Sequence, residues 1–160
     1  MKASIAVVGK FTDIFSEADS HNANYSHLTW EDIKEIASSG YIEISNHTYN
    51  MHDTKGRIGC FKMKSETNEQ YHDVLTEDVL KMQKLLKEKS DVECKVFTYP
   101  YGKIYNGSIP IIKEMGFLAS LSCYEKINTI TKDESCLYLL GRFNRPSGIT
   151  TENFMKKNGL

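Results

Sequence analysis

The sequence predicts an α/β fold with mostly parallel strands, on three observations. Short apolar runs alternate with stretches of helical periodicity along the chain. The strongest helical stretch, Glu69 to Lys89, lies between two such runs. The two most unusual segments, His47 to Asp53 and Tyr99 to Gly102, each follow a predicted strand, and parallel α/β folds gather their chemistry at strand C-termini.

Taken in order, Ala3 to Val8 reads as a buried strand. With Met1 and Lys2 before it, the segment has the look of a leader, but its apolar stretch is too short and no cleavage site follows. Ser16 to Ser26 is polar and reads as a loop. Thr29 caps a helix to about Ser38, with Glu31 and Asp32 suiting the positive end of its dipole, and Gly40 stops it. Tyr41 to Asn46 is a second strand, with Ile42 and Ile44 on one face. Asp53 to Asn68 is a long, basic, exposed loop, a kind of segment that often carries function. Glu69 to Lys89 repeats Val74, Leu75, Val79, Met82, Leu85 and Leu86 at helical spacing. Cys94 to Thr98 is a third strand. Ser108 to Met115 is a helix that tolerates Pro110 in its first turn and ends at Gly116. Leu118 to Cys123 and Leu137 to Phe143 complete five strands, and Thr150 or Thr151 caps a last helix. The absence of repeats, low-complexity tracts and proline-rich linkers predicts one domain over residues 1–160.

Composition excludes several classes. The chain is 40% apolar and 26% charged, as folded soluble domains are. Twenty basic residues face twenty-one acidic ones, which argues against a large electrostatic footprint for nucleic acid or an anionic membrane. No apolar run approaches the roughly 20 residues of a membrane helix. Cys60, Cys94, Cys123 and Cys136 form no C-x-x-C pair and read as scattered reduced thiols in or near the core. A G-x-S-x-G elbow and a phosphate-cradling glycine loop are both missing.

His47 and His52 are five residues apart, so they converge on one ion only if the chain bends between them. A strand-to-loop transition there provides the bend, and neutral imidazoles suit zinc, cobalt, nickel or iron. The alternative is a pair of ordinary polar loop histidines. His21, His27 and His72 read as solvated. Tyr99-Pro100-Tyr101 makes a flat wall of the kind on which sugars stack, or else an aromatic turn packing the rim of the fold. Lys55-Gly56-Arg57 and Lys62-Met63-Lys64 read as a solvated basic patch.

In order along the chain, these segments resemble the polysaccharide deacetylase family, carbohydrate esterase family 4. The match rests on Lys2 to Gly9, on His27-Leu28-Thr29-Trp30, on Glu43-Ile44-Ser45-Asn46-His47-Thr48, on Thr98-Tyr99-Pro100-Tyr101-Gly102 and on Leu139-Leu140-Gly141-Arg142-Phe143. The five-residue histidine spacing resembles the branch of poly-N-acetylglucosamine deacetylases. The resemblance implies a distorted (β/α) barrel that is incomplete at its N-terminal side, lacking the first strand. It implies zinc or another divalent transition metal on His47 and His52, with incomplete ligation. It also implies an oxyanion donated to by the N–H of Tyr101, substrate contacts from Tyr99, Pro100 and Tyr101, and a ligand or loop oriented by Thr48. The activity implied is hydrolysis of N-acetyl groups on a cell-wall or capsule polysaccharide, usually outside the cytoplasm.

Three departures accompany it. The family's aspartate pair would precede Lys2, which is too early for this sequence to contain it. Tyr99 stands where an arginine often orients the base. There is no clear counterpart of the late aspartate-tryptophan motif or the late histidine. Asp53 is the one nearby carboxylate, and as the neighbour of His52 it is poorly placed to chelate the same ion. The expected activity of these residues alone is therefore low. A non-catalytic glycan- or partner-binding relative is the alternative, as is a scaffold in which the two histidines only pack. An exposed edge on the first strand invites self-association.

Overall fold

The computed structural model describes residues 2–19, 22 and 24–160. Four strands, β1 (Ala3–Val7), β2 (Ile42–Asn46), β3 (Val96–Thr98) and β4 (Ala119–Leu121), run parallel and side by side in chain order. Helical connections join them: α1 (Gly9–Glu17) and α2 (Trp30–Ser38) follow β1, α3 (Asn68–Ser90) follows β2, and α4 (Ser108–Glu114) follows β3. Sequential parallel strands with helical crossovers are the winding of a (β/α) barrel, and this sheet is an open arc of one.

The core lies between the sheet and α2, α3 and α4. Ile33, Leu75, Val79, Met82, Leu86, Phe97, Ile112 and Phe117 are fully or almost fully buried there. α3 holds the largest share because its apolar residues recur at helical spacing. Its start is fixed by a capping box: Thr67 Oγ1 accepts the Gln70 N–H, while Gln70 Oε1 accepts that of Thr67. α2 starts the same way on Thr29 and Asp32. Thr150 caps the last helix, α5 (Thr151–Lys157), which has no buried residue.

Three expectations about the elements need correction. Residues 137–143 do not form a fifth strand. A short 3₁₀ turn covers Glu134–Leu137, Leu139 takes a left-handed φ of 59°, and only Leu140 bridges to Leu121. The Asn128 side chain takes both backbone groups of Gly141, accepting its N–H at 2.8 Å and donating to its carbonyl at 2.9 Å, which removes them from any ladder. The second correction is α1, where no helix was expected. Phe11, Ile14 and Phe15 have helical spacing, but the segment is short and directly follows a strand. β1 is also less buried than expected: Ala3 and Ser4 are exposed, and among the described residues its one strand neighbour is β2.

α1 matters to the rest of the molecule. Its first N–H groups, free of intrahelical partners, donate to the loop after β2: Gly9 to Thr48 at 3.1 Å and Lys10 to Tyr49 at 2.8 Å. A Cβ on Gly9 would stand 2.6 Å from the Tyr49 ring, so only glycine allows this approach.

Candidate functional site

The sheet delivers two segments to one place. β2 ends at Asn46, and the next residue, His47, makes the last bond to β1, its N–H donating to the Val7 carbonyl oxygen at 3.1 Å. Thr48 then takes a left-handed φ of 75° and turns the chain back. Its N–H donates to Asn46 Oδ1 at 2.9 Å and its hydroxyl accepts from the Met51 N–H at 3.2 Å. Thr48 is thus buried and holds the loop's shape.

The turn brings His52 back against His47, with ring centroids 5.0 Å apart and planes at 58°. Two imidazoles on one tetrahedral ion, each with a nitrogen–metal distance of about 2.0–2.1 Å, would have centroids roughly 5 Å apart. The pair therefore fits two positions of such a site. Among the described residues no group of three or more histidine, cysteine, aspartate or glutamate side chains is gathered closely enough to complete one.

β3 and the turn after it secure both rings. His47 Nδ1 donates to the Thr98 carbonyl oxygen at 2.6 Å, which leaves Nε2 as the open nitrogen. His52 Nδ1 is hydrogen-bonded to the Tyr101 hydroxyl at 2.9 Å. Burial pushes the His47 imidazole down to about 4; the bond to Thr98 opposes this, and His52 and Arg142 add to it. Burial also lowers His52, with a further contribution from His27. Both rings are neutral near pH 7, the form that ligates metals.

The Tyr99-Pro100-Tyr101 segment does not present the continuous wall expected of it. Tyr99 is fully buried, edge-on to Phe97, with its hydroxyl hydrogen-bonded to Ser108 Oγ at 2.8 Å. Pro100 is buried too. Tyr101 takes a left-handed φ of 56°, which turns its side chain out of the core, 43% exposed, and over His52 with ring centroids 4.5 Å apart. The local sequence explains the split: Tyr99 extends β3 into the core, while Tyr101 lies past the proline.

Asp53 is exposed and faces away from base chemistry. Its carboxylate accepts the N–H groups of Thr54 and Lys55, and these bonds hold its pKa below the ordinary carboxylate value. The loop beyond it is tied down rather than free. Arg57 is ion-paired with Glu66 and so is not the solvated cation expected. Gly59, at φ 54°, lies so close to the turn that a Cβ there would stand 2.8 Å from the Pro100 carbonyl oxygen.

Other histidines also depart from simple solvation. His27 is exposed but stacked on Phe11 at 4.6 Å, and His72 bonds Asp73 and Glu114, each at 3.3 Å. His21 lies outside the described residues. Cys60 and Cys94 are buried, Cys136 is half-buried and Cys123 is exposed, all of them free thiols. A cavity of about 380 Å³ opens along β1, walled by Val7, Phe11, Leu28, His27, His47 and His52 among others.

Two supports were not expected. Asp78 on α3 accepts the Tyr49 and Asn50 N–H groups, one on each oxygen, both at 2.8 Å. Asp13 on α1 accepts from the Tyr49 hydroxyl and the Trp30 indole, both at 2.9 Å. A lone acid within an amphipathic helix carries no signal in sequence, and Asp13 belongs to the helix that was not expected.

Residues 1–120 match the family described as polysaccharide deacetylase. The chain belongs to that family. It is 27% identical over 103 residues to the poly-beta-1,6-N-acetyl-D-glucosamine N-deacetylase of Escherichia coli, a stretch covering 56% of this chain and 15% of that protein. The protein of the same description from Staphylococcus aureus is 26% identical over 106 residues, which are 66% of this chain and 35% of the other. In structure the chain resembles a de-N-acetylase from Aggregatibacter actinomycetemcomitans, with a TM-score of 0.75 at 20% identity over 98% of this chain and 64% of that one. It also resembles the Streptococcus pyogenes deacetylase PplD, in complex with acetate, with a TM-score of 0.69 at 17% identity over 97% and 57% of the two chains. These structures establish the (β/α) barrel type of the fold. The matched stretch covers well under half of either sequence relative.

Proposed function

We propose that these residues form part of a metal-dependent deacetylase that hydrolyses N-acetyl groups on a polysaccharide, with poly-N-acetylglucosamine the favoured substrate. The observation that carries the reading is the His47–His52 pair, held at the strand ends with one nitrogen of each ring tied to the β3 side. Family membership and the substrate named for the sequence relatives support it.

In this reading His47 and His52 hold a divalent ion, zinc or another transition metal, and Thr48 keeps their loop bent. Such an ion, when bound, supplies Lewis acidity toward the acetamide carbonyl and lowers the pKa of water. The Tyr101 N–H, in the first turn of a 3₁₀ helix and so without an intrahelical partner, donates to the developing oxyanion. The exposed Tyr101 ring packs against sugar. Among the described residues no third histidine, cysteine, aspartate or glutamate is gathered with the pair to complete a metal site, and the adjacent carboxylate, Asp53, is bonded to the Thr54 and Lys55 N–H groups. General-base assistance is typically worth about a hundredfold to ten-thousandfold, so these residues alone turn over slowly.

A second reading is a non-catalytic barrel that binds glycan, favoured by the exposed ring of Tyr101 at the strand ends. Acetate release from N-acetylglucosamine oligomers, with zinc or cobalt added, separates the two. Slow, metal-dependent release that disappears in His47→Ala supports the deacetylase. Glycan binding with no release under any metal supports the binding relative. Robust release abolished by Asp53→Asn would place the base on Asp53 and overturn the account of the site.

A further inference from the structure

We infer that the Tyr101 hydroxyl is a positioning group for His52: it accepts a hydrogen bond from Nδ1–H and so leaves Nε2 as the ring's open nitrogen. The inference deepens the metal-site reading above.

The argument begins with His47. A carbonyl oxygen can only accept, so the 2.6 Å contact with Thr98 places the proton on Nδ1 and the lone pair on Nε2. His52 uses the same ring nitrogen, Nδ1, at 2.9 Å. Its partner, Tyr101, lies three residues after Thr98, on the turn that ends the same strand. One short segment therefore grips both imidazoles by Nδ1. Two rings 5.0 Å apart serve one ion only if each offers the nitrogen that is not gripped.

The geometry of Tyr101 agrees with a dedicated role. Its left-handed backbone is uncommon for a residue with a Cβ, and strain of this kind persists only where the surroundings enforce it. Here the loop and the segment after β4 approach the turn so closely that a Cβ added to Gly59 would stand 2.8 Å from the Pro100 carbonyl oxygen, and one added to Gly102 would stand 2.9 Å from Cys123. The result is a tyrosine held over His52 at 4.5 Å between ring centroids, when Tyr99, two residues earlier, is fully buried. A phenol hydroxyl rotates to donate or accept. Accepting is the arrangement that makes His52 match His47.

The test is nitrogen-15 NMR of the two imidazoles in the metal-free protein, comparing the unaltered chain with Tyr101→Phe, which keeps the ring and backbone. The expected result is His52 mainly in the Nδ1–H form in the unaltered chain and redistributed toward Nε2–H in the variant, with His47 unchanged in both. Zinc affinity measured by calorimetry should fall about tenfold in Tyr101→Phe, at the lower end of the loss usual for such supports. His52 as Nε2–H in the unaltered chain overturns the inference, whether or not the variant folds. So do identical His52 tautomers in the two proteins. A shifted tautomer with no zinc binding in either protein leaves this inference standing and refutes the metal site.

Discussion

His47 donates from Nδ1 to the carbonyl oxygen of Thr98 at 2.6 Å, linking the end of β2 to the end of β3. The bond requires a proton on Nδ1, and the ring's burial disfavours a second on Nε2. His47 is therefore neutral in the folded chain down to about pH 4.

Acid should accordingly destabilise the protein in a defined window. The folded pKa of His47 lies below the ordinary 6.5, so between about 6.5 and 4 the unfolded chain takes up a proton that the folded chain does not. Stability is flat in this respect above pH 6.5 and is lost as the pH falls. A shift of this size corresponds to about 3 kcal/mol at most. His52 acts in the same direction. Urea unfolding at pH 7.5 and 4.5 should show a smaller loss for His47→Gln than for the unaltered chain. Parallel losses would mean that His47 is not the group responsible.

Asp78 should support the histidine loop at a distance from any reacting atom. Its two oxygens accept adjacent N–H groups, so Asp78→Ala leaves both without that partner. Unsatisfied buried donors cost about 1–3 kcal/mol each; these are partly exposed, which places the expected loss at about 2 kcal/mol in total. Thermal unfolding checks the stability. Hydrogen exchange at Tyr49 and Asn50 should speed up locally, and unchanged exchange there would show that the loop stands without Asp78.

Gly59→Ala should be damaging, since Gly59 is buried in the loop against the turn after β3. The added Cβ meets the Pro100 carbonyl oxygen at 2.8 Å, and the φ of 54° is unfavourable for alanine. Strain of this kind costs on the order of 1–3 kcal/mol. Because the contact is on the turn that carries Tyr101, the NMR resonances of His52 should shift along with the loss in melting temperature. A stable variant with an unperturbed His52 would show that loop and turn are uncoupled.

Self-association is expected through β1. Among the described residues this strand pairs only with β2, which leaves the backbone groups of its other edge without a strand partner. Unpaired strand edges recruit other strands. Light scattering over a range of concentrations should show a mass that rises with concentration. A monomer throughout would mean the edge is protected.

Much of this was legible in the sequence, for reasons that can be named. α2 and α3 announce themselves by capping residues and by apolar spacing, both local signals. The bend between His47 and His52 follows from a strand that runs out at Asn46. What was not legible depends on distant contacts. Asn128 reaches across 13 residues to occupy Gly141, and this prevents the last strand. Tyr99 and Tyr101 are alike in sequence, and only the turned backbone at Tyr101 sends one inward and the other to the site. Asp78 meets the histidine loop from 29 residues away.

The central claim is that His47 and His52 together bind a divalent ion, and calorimetric titration with zinc at pH 7.5 tests it most directly. The unaltered chain should bind weakly, because two imidazoles leave the ion short of protein ligands and binding must be completed by water or anions. The His47→Ala, His52→Ala double variant, shown to be folded by circular dichroism, should give no heat beyond dilution. Equal binding by the two proteins would contradict the claim.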